Sequence, residues 1–215
     1  INLCPSGVGD IQPIRQISSQ IPHATHNKSL IFLAINTSFY KVCLQEVTVT
    51  SKTLVKKEKF SFIINQEIKK NVNYHEKLAI AEFAASLIKD GDTIAINTSS
   101  ITVNIARFIL DRKITVVTNS LEIANILSKS RTINLIITGG TYVHDYLSIE
   151  GCKTISDFSS FNYDSSYIGT NGIIGDSIFT GGTVESESKI AIINKSKRAY
   201  ILAEQSKFGQ RGQHR

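Results

Sequence analysis

The sequence predicts an α/β protein with a mostly parallel sheet and helices on both faces. Three observations carry that prediction. From residue 73 onward, short apolar runs of strand length alternate with longer stretches of helical period. The connections between them are short and fall on polar or glycine-containing turns. The order strand, helix, strand repeats through the rest of the chain, which is how βαβ units build a parallel sheet covered on both sides.

Each element follows from its residues. "YHEKLAIAEFAASLIKDGD" sets Leu78, Ala81, Ala84 and Ile88 on one helical stripe, with Lys89 in the last turn and Gly91 as the stop. "DTIAIN" reads as a short buried strand and "ITVNIARFIL" as a helix. "KITVVTNS" is a strand ending in a turn, and "SLEIANILSKS" a helix that Ser120 can cap. "INLIITGG" is a strand closed by paired glycines, and "GCKTISDFSSF" is weakly helical. "SSYIGTNGI" gives another strand and turn, "TVESESKIAIINKSK" a helix, and "RAYILAEQSKFG" a strand followed by a loop. Strands are therefore expected near 93–97, 114–118, 133–138, 165–169 and 199–203.

Composition sets the class. The chain has 215 residues, of which 41% are apolar, enough for one sizeable α/β domain and a smaller piece. No apolar run approaches a membrane span in length. The three cysteines, Cys4, Cys43 and Cys152, are scattered, so neither a disulfide framework nor a metal site is expected, and the context reads as reducing and cytoplasmic. The net charge of +6 is diffuse; its densest cluster, Lys52, Lys56, Lys57 and Lys59, reads as a solvated basic linker. All three prolines lie in the first 22 residues, which have no sustained period. Residues 1–56 are read as an irregular segment, although 29–50, rich in β-branched and aromatic residues, can form a strand or two. Residues 57–72 read as a linker, 73–209 as the domain, and 210–215 as a truncated tail. The chain contains no Met and does not begin with one, so a fragment or processed product is expected.

Four polar turns fall at the carboxyl ends of expected strands, where open α/β sheets bind ligands: 97–102, 118–120, 138–141 and 169–172. The first, Asn97-Thr98-Ser99-Ser100-Ile101-Thr102, has five small polar residues among six. One reading is an anion site at a helix start, with hydroxyls and N–H groups as donors. The other is an ordinary cap cluster, because Ser and Thr favour caps for their own sake; on this turn alone the cap reading weighs more. Thr118, Asn119 and Ser120 end the next strand, and Gly139-Gly140 the third, where backbone can approach a ligand closely or simply turn tightly. Glu185 and Lys189 share a helix face as an i, i+4 pair. Tyr142, His144 and Tyr146 follow the glycines as candidate wall residues, with His144 read as surface or lid rather than base.

The runs "EKLAIAEFAASLIKDGDTIAIN", "ITVVTNSLEIANIL", "LIITGGTY", "YIGTNGI", "ESESKIAIINKS" and "ILAEQSKFG" together resemble the effector-sensing domain of the DeoR family of bacterial transcription regulators, across residues 73–209. The resemblance implies a fold similar to ribose-5-phosphate isomerase and recognition of a phosphorylated sugar or similar metabolite; a homo-oligomer without cofactor or catalysis is expected. It sets the 97–102 turn on the family's phosphate loop. There Asn97 replaces an Asp, Ser99 a Gly, and Ile101 interrupts the hydroxyl run, while Glu204 stands where Asp is common. An amide at Asn97 can still accept a hydroxyl. Lys77, Lys189 and Lys207 remain as counter-charges to a phosphate, with Thr118-Asn119 and Gly139-Gly140 as neighbouring wall and Glu185 and Glu204 toward sugar hydroxyls.

The family's operator-binding helix-turn-helix is not readable. "VTSKTLVKKEKF" echoes its recognition helix only through Val49, Thr50, Thr53 and Leu54, without the Arg pair, and chance similarity explains it better. Specific operator binding is not expected of this chain alone. Three functions stay open: a repressor's sugar-phosphate sensor, an isomerase-type enzyme, and an inert remnant. The isomerases resembled here carry a catalytic Lys before their Gly pair, where this chain has Thr180 before Gly181-Gly182.

Overall fold

The structure is a computed structural model that describes residues 28–36, 41–49 and 71–212. The proline-rich start, the Lys52–Lys59 cluster, the 50–60 part of the helix-turn-helix echo and the last three residues lie outside the described residues. Seven strands form one sheet: β1 (Lys28–Asn36), β2 (Lys41–Val49), β3 (Thr93–Ile96), β4 (Thr115–Thr118), β5 (Asn134–Ile137), β8 (Tyr163–Gly169) and β11 (Ser196–Leu202), in the order β2-β1-β11-β8-β3-β4-β5. Every neighbouring pair is parallel except β1 with β2. The five expected strands are all present, each within three residues of its expected ends.

Strand pleating explains why both faces are covered. Side chains alternate across a strand. Ile94 and Ile96 of β3, Val116 of β4, Tyr167 of β8, and Tyr200 and Leu202 of β11 face one core. That core is closed by helices α1 (Tyr74–Ser86), α2 (Thr102–Phe108) and α3 (Leu121–Leu127). Ala95, Val117, Ile168, Ala199 and Ile201 face a second core, closed by Phe158 of α4 (Cys152–Ser159) and by Ala191 and Ile192 of α5 (Thr183–Lys195). Each fully buried isoleucine side chain contributes about 1.5–3 kcal/mol of burial.

Several local expectations need correction. Residues 1–56 are not irregular throughout: β1 pairs with β11 at register Leu30 to Ala199, so the strands expected within 29–50 extend the same sheet. The first helix ends at Ser86, and Lys89 lies beyond it, although Gly91 does turn the chain with φ +90. Its buried face is Lys77, Ile80, Ala81, Ala84 and Ala85, so Leu78 is only half-buried. Two hairpins went unread: β6 (Thr141–Val143) with β7 (Ser148–Glu150), and β9 (Gly172–Ile174) with β10 (Ser177–Phe179). Three-residue strands are too short to show a period, so only pairing reveals them.

Candidate functional site

The chain leaves β3 toward β4 and β5 on one side and returns at β8 and β11 on the other, so the order of strand addition reverses between β3 and β8. A pocket opens beyond the carboxyl ends at that reversal, the position such sheets offer to ligands. Thr98, Ser99 and Ser100 line it after β3, and Gly169, Thr170 and Asn171 after β8. Glu204, Ser206 and Lys207 line it after β11, Glu185 and Lys189 from α5, and Val72 and Lys77 from the start of α1.

Three lysines face two carboxylates there. Glu204 Oε1 lies 3.7 Å from Lys77 Nζ and 3.4 Å from Lys207 Nζ, while its Oε2 accepts from Asn73 Nδ2 at 2.9 Å. Burial lowers the Lys77 pKa against the opposing pull of Glu204, and Lys77 Nζ also donates to Val72 O at 2.6 Å. Lys189 Nζ donates to Glu185 Oε1 at 2.7 Å, and Glu185 Oε2 accepts from Gly181 N at 3.0 Å. Burial alone would raise the Glu185 pKa, but the Lys189 charge and the hydrogen bonds to the carboxylate, Gly181 N among them, together hold it below its ordinary value. The i, i+4 pair read from the sequence is thus a real ion pair, and it stands in the pocket wall.

The polar turn divides its labour. Ser99 Oγ accepts from Ile101 N at 3.3 Å and Thr102 N at 3.0 Å, and Thr102 Oγ1 donates to Asn97 O at 2.6 Å. These bonds close the turn onto itself, as capping hydroxyls do. Thr102 is fully buried and turned away from the pocket, and Asn97 is 1% exposed, so neither lines it. Ser99 does not occupy the left-handed region, so a side chain there costs no backbone strain. Its Cβ instead packs on Gly169, where an added Cβ would approach it to 2.3 Å. Thr98 and Ser100 line the pocket, and Thr98 donates to Asn119 Oδ1 through its N at 3.1 Å and its Oγ1 at 3.5 Å.

Of the expected ligand residues, the structure brings Lys77, Thr98, Ser99, Ser100, Glu185, Lys189, Glu204 and Lys207 around one pocket. It does not bring Asn97, Thr102, Thr118, Asn119, Gly139 or Gly140 to its wall. Thr118 Oγ1 donates to Ile96 O at 2.7 Å and accepts from Ser120 N at 3.1 Å, tying β4 to β3. Asn119 is wholly buried behind Thr98. Gly139 and Gly140 follow β5 at the sheet edge, away from the reversal. Gly139 N donates to Asp157 Oδ2 at 2.8 Å, and a Cβ on Gly140 would lie 2.6 Å from Glu150 O. Those glycines serve helix and hairpin packing. The residues missed are Val72, Gly169, Thr170, Asn171 and Ser206. The run "YIGTNG" marked a polar turn at 169–172, but nothing local shows that β8 pairs with β3.

Among described residues no group of three His, Cys, Asp or Glu can hold a metal ion, and no helix is long and apolar enough to cross a membrane. Residues 72–215 match the family model of the DeoR C terminal sensor domain. The chain belongs to the DeoR family. Its sensor domain is 35% identical over 144 residues to the uncharacterized HTH-type transcriptional regulator FruR of Bacillus subtilis (strain 168), covering 66% of this chain and 57% of that protein. It is 33% identical over 143 residues to the lactose phosphotransferase system repressor of Lactococcus lactis subsp. lactis, covering 65% and 56%. The DeoR-type chain therefore spans a little over half the length of these relatives, which are named as transcriptional regulators. Among solved structures it is similar to ribose 5-phosphate isomerase A of Methanocaldococcus jannaschii, at 18% identity and a TM-score of 0.47, over 63% of this chain and 55% of that one.

Proposed function

We propose that this chain is the effector-binding part of a transcriptional repressor of carbohydrate metabolism, and that its pocket takes a small phosphorylated sugar. The carrying observation is the charge pattern: Lys77, Lys189 and Lys207 around Glu185 and Glu204, with Thr98 and Ser100 hydroxyls at one wall. Three ammonium groups against two carboxylates favour an anion, and the hydroxyl and carboxylate acceptors suit a polyol attached to it. The Lactococcus relative is named as a lactose phosphotransferase system repressor, which accords with a sugar-derived ligand. Both pocket carboxylates are engaged by lysines and backbone or Asn donors, so neither stands ready as a general base, and the reading is binding without turnover. Operator binding and self-association belong to the longer regulator in this reading.

A calorimetric and thermal-shift panel of ribose 5-phosphate, fructose 1-phosphate and fructose 6-phosphate, each beside its unphosphorylated sugar, tests it. At a hundredfold excess over Kd, a bound ligand stabilises by about 2.7 kcal/mol, a shift of several degrees. At least one phosphorylated sugar should give that shift without being consumed, and its parent sugar should not. A panel with no shift, or steady isomerisation of a pentose phosphate, defeats the reading.

A further inference from the structure

We propose that Glu150, which lies outside the pocket, is a positioning residue that sets the turn after β3 by orienting the side-chain amide of Asn119. Glu150 ends β7 and is 6% exposed. No lysine or arginine among the described residues forms an ion pair with it. Instead its carboxylate gathers three neutral donors. Oε1 accepts from Ser148 Oγ at 2.8 Å and Asn119 Nδ2 at 3.1 Å, and Oε2 accepts from Ser188 Oγ at 3.3 Å. A buried carboxylate held only by neutral donors is costly, so a burial of this kind calls for a role.

The role follows from what a carboxylate can do. Ionised, it only accepts hydrogen bonds. Facing Asn119, it admits Nδ2 and rejects Oδ1, and Ile149 O, accepting from the same Nδ2 at 3.2 Å, makes the same choice. Asn119 Oδ1 is thereby turned toward β3, where it accepts from Thr98 N at 3.1 Å. Thr98 lines the pocket. Through Ser188 the same carboxylate holds α5 one residue before Lys189, another pocket residue. One side chain on a three-residue strand thus registers two walls of a site it does not touch. The charged and titratable groups acting on it are Tyr146 in the hairpin turn and Glu185 and Lys189 on α5. Burial raises its pKa, with Glu185 adding to the rise and Lys189 opposing it.

Hydrogen exchange at the Thr98 amide reads this directly, with no ligand present. In Glu150→Ala, exchange at Thr98 should quicken at least tenfold while core amides of β4 and β11 keep their relative protection. Glu150→Gln should rescue it to within about threefold, because the amide oxygen can still accept from Asn119. Asn119→Ala should quicken Thr98 equally, and adding Glu150→Ala to it should cause no further change, since residues acting through one another are non-additive. If Glu150→Ala does not fold, NMR of the unaltered chain decides. The Asn119 side-chain amide and Thr98 backbone amide resonances should then titrate together with the Glu150 carboxyl carbon. Unchanged Thr98 protection in the variants, full additivity in the pair, or independent titration overturns the proposal. The ligand consequence rests on the sensor reading: any sugar phosphate that binds should bind at least tenfold more weakly to Glu150→Ala and near normally to Glu150→Gln. Altered Thr98 exchange with no panel sugar binding to the unaltered chain would defeat the sensor reading and leave the positioning role standing. Altered exchange with unchanged affinity would overturn the role assigned to Glu150 in the site.

Discussion

The turns after β3 and β5 look alike in sequence and do opposite work. Both follow an apolar strand, and both replace bulky side chains with small or absent ones: Thr98-Ser99-Ser100 in one, Gly139-Gly140 in the other. The first opens on a pocket and the second is packed against α4 and β7. The difference is position in the sheet. β3 neighbours β8, where the order in which successive strands are added reverses, whereas β5 is an edge strand. Small residues at a strand end therefore mark close approach, and the topology decides whether a ligand or another part of the chain approaches.

The sharpest way to break this comparison is to strip a charge from the pocket side. Lys207→Ala should lower affinity for whichever panel sugar phosphate binds by about ten- to a hundredfold, since a charge-assisted hydrogen bond is worth about 1.5–3 kcal/mol. Calorimetry checks it, and the melting temperature should move little because Lys207 is partly exposed. The edge side should answer in the other measure. Gly140→Ala meets a positive φ and a backbone oxygen at 2.6 Å, so a loss of roughly 1–3 kcal/mol in stability is expected, with ligand affinity within twofold. A large affinity loss in Gly140→Ala would erase the distinction.

Within the turn after β3 the effects should split by residue. Thr102→Ala removes the bond to Asn97 O and should cost about 1 kcal/mol of stability in denaturant melts, with affinity unchanged. Ser100→Ala should do the reverse, weakening ligand binding by about 0.5–1.5 kcal/mol and sparing stability.

The smallest effect concerns pH and compares two buried acids. Glu150 has a raised pKa, so the native state holds its proton more tightly than the unfolded chain does, and its contribution to stability is lost as pH rises from the ordinary carboxylate range through the raised value. Glu185 has a lowered pKa, so its contribution is present above the ordinary range and lost as pH falls through the lowered value. Urea melts across this range should show Glu150→Gln gaining on the unaltered chain as pH rises. Glu185→Gln should lose its disadvantage as pH falls.

The sequence by itself determined the alternation of strands and helices and the two-sided cover of the sheet, because those depend on apolar period and on caps such as Ser120, whose hydroxyl accepts from Ile123 N at 3.3 Å. It also determined which residue types stand at the strand ends, and the pairing of Glu185 with Lys189, because a helix brings i and i+4 together wherever it lies. It did not reveal that Gly169 would pack on Ser99, that Lys77 and Lys207, 130 positions apart, would share Glu204, or that Glu150 would accept from Asn119. Only the tertiary structure decided those. Each requires knowing the order of strands in the sheet, and parallel strands are paired through long crossovers whose destination leaves no local trace in the residues they join.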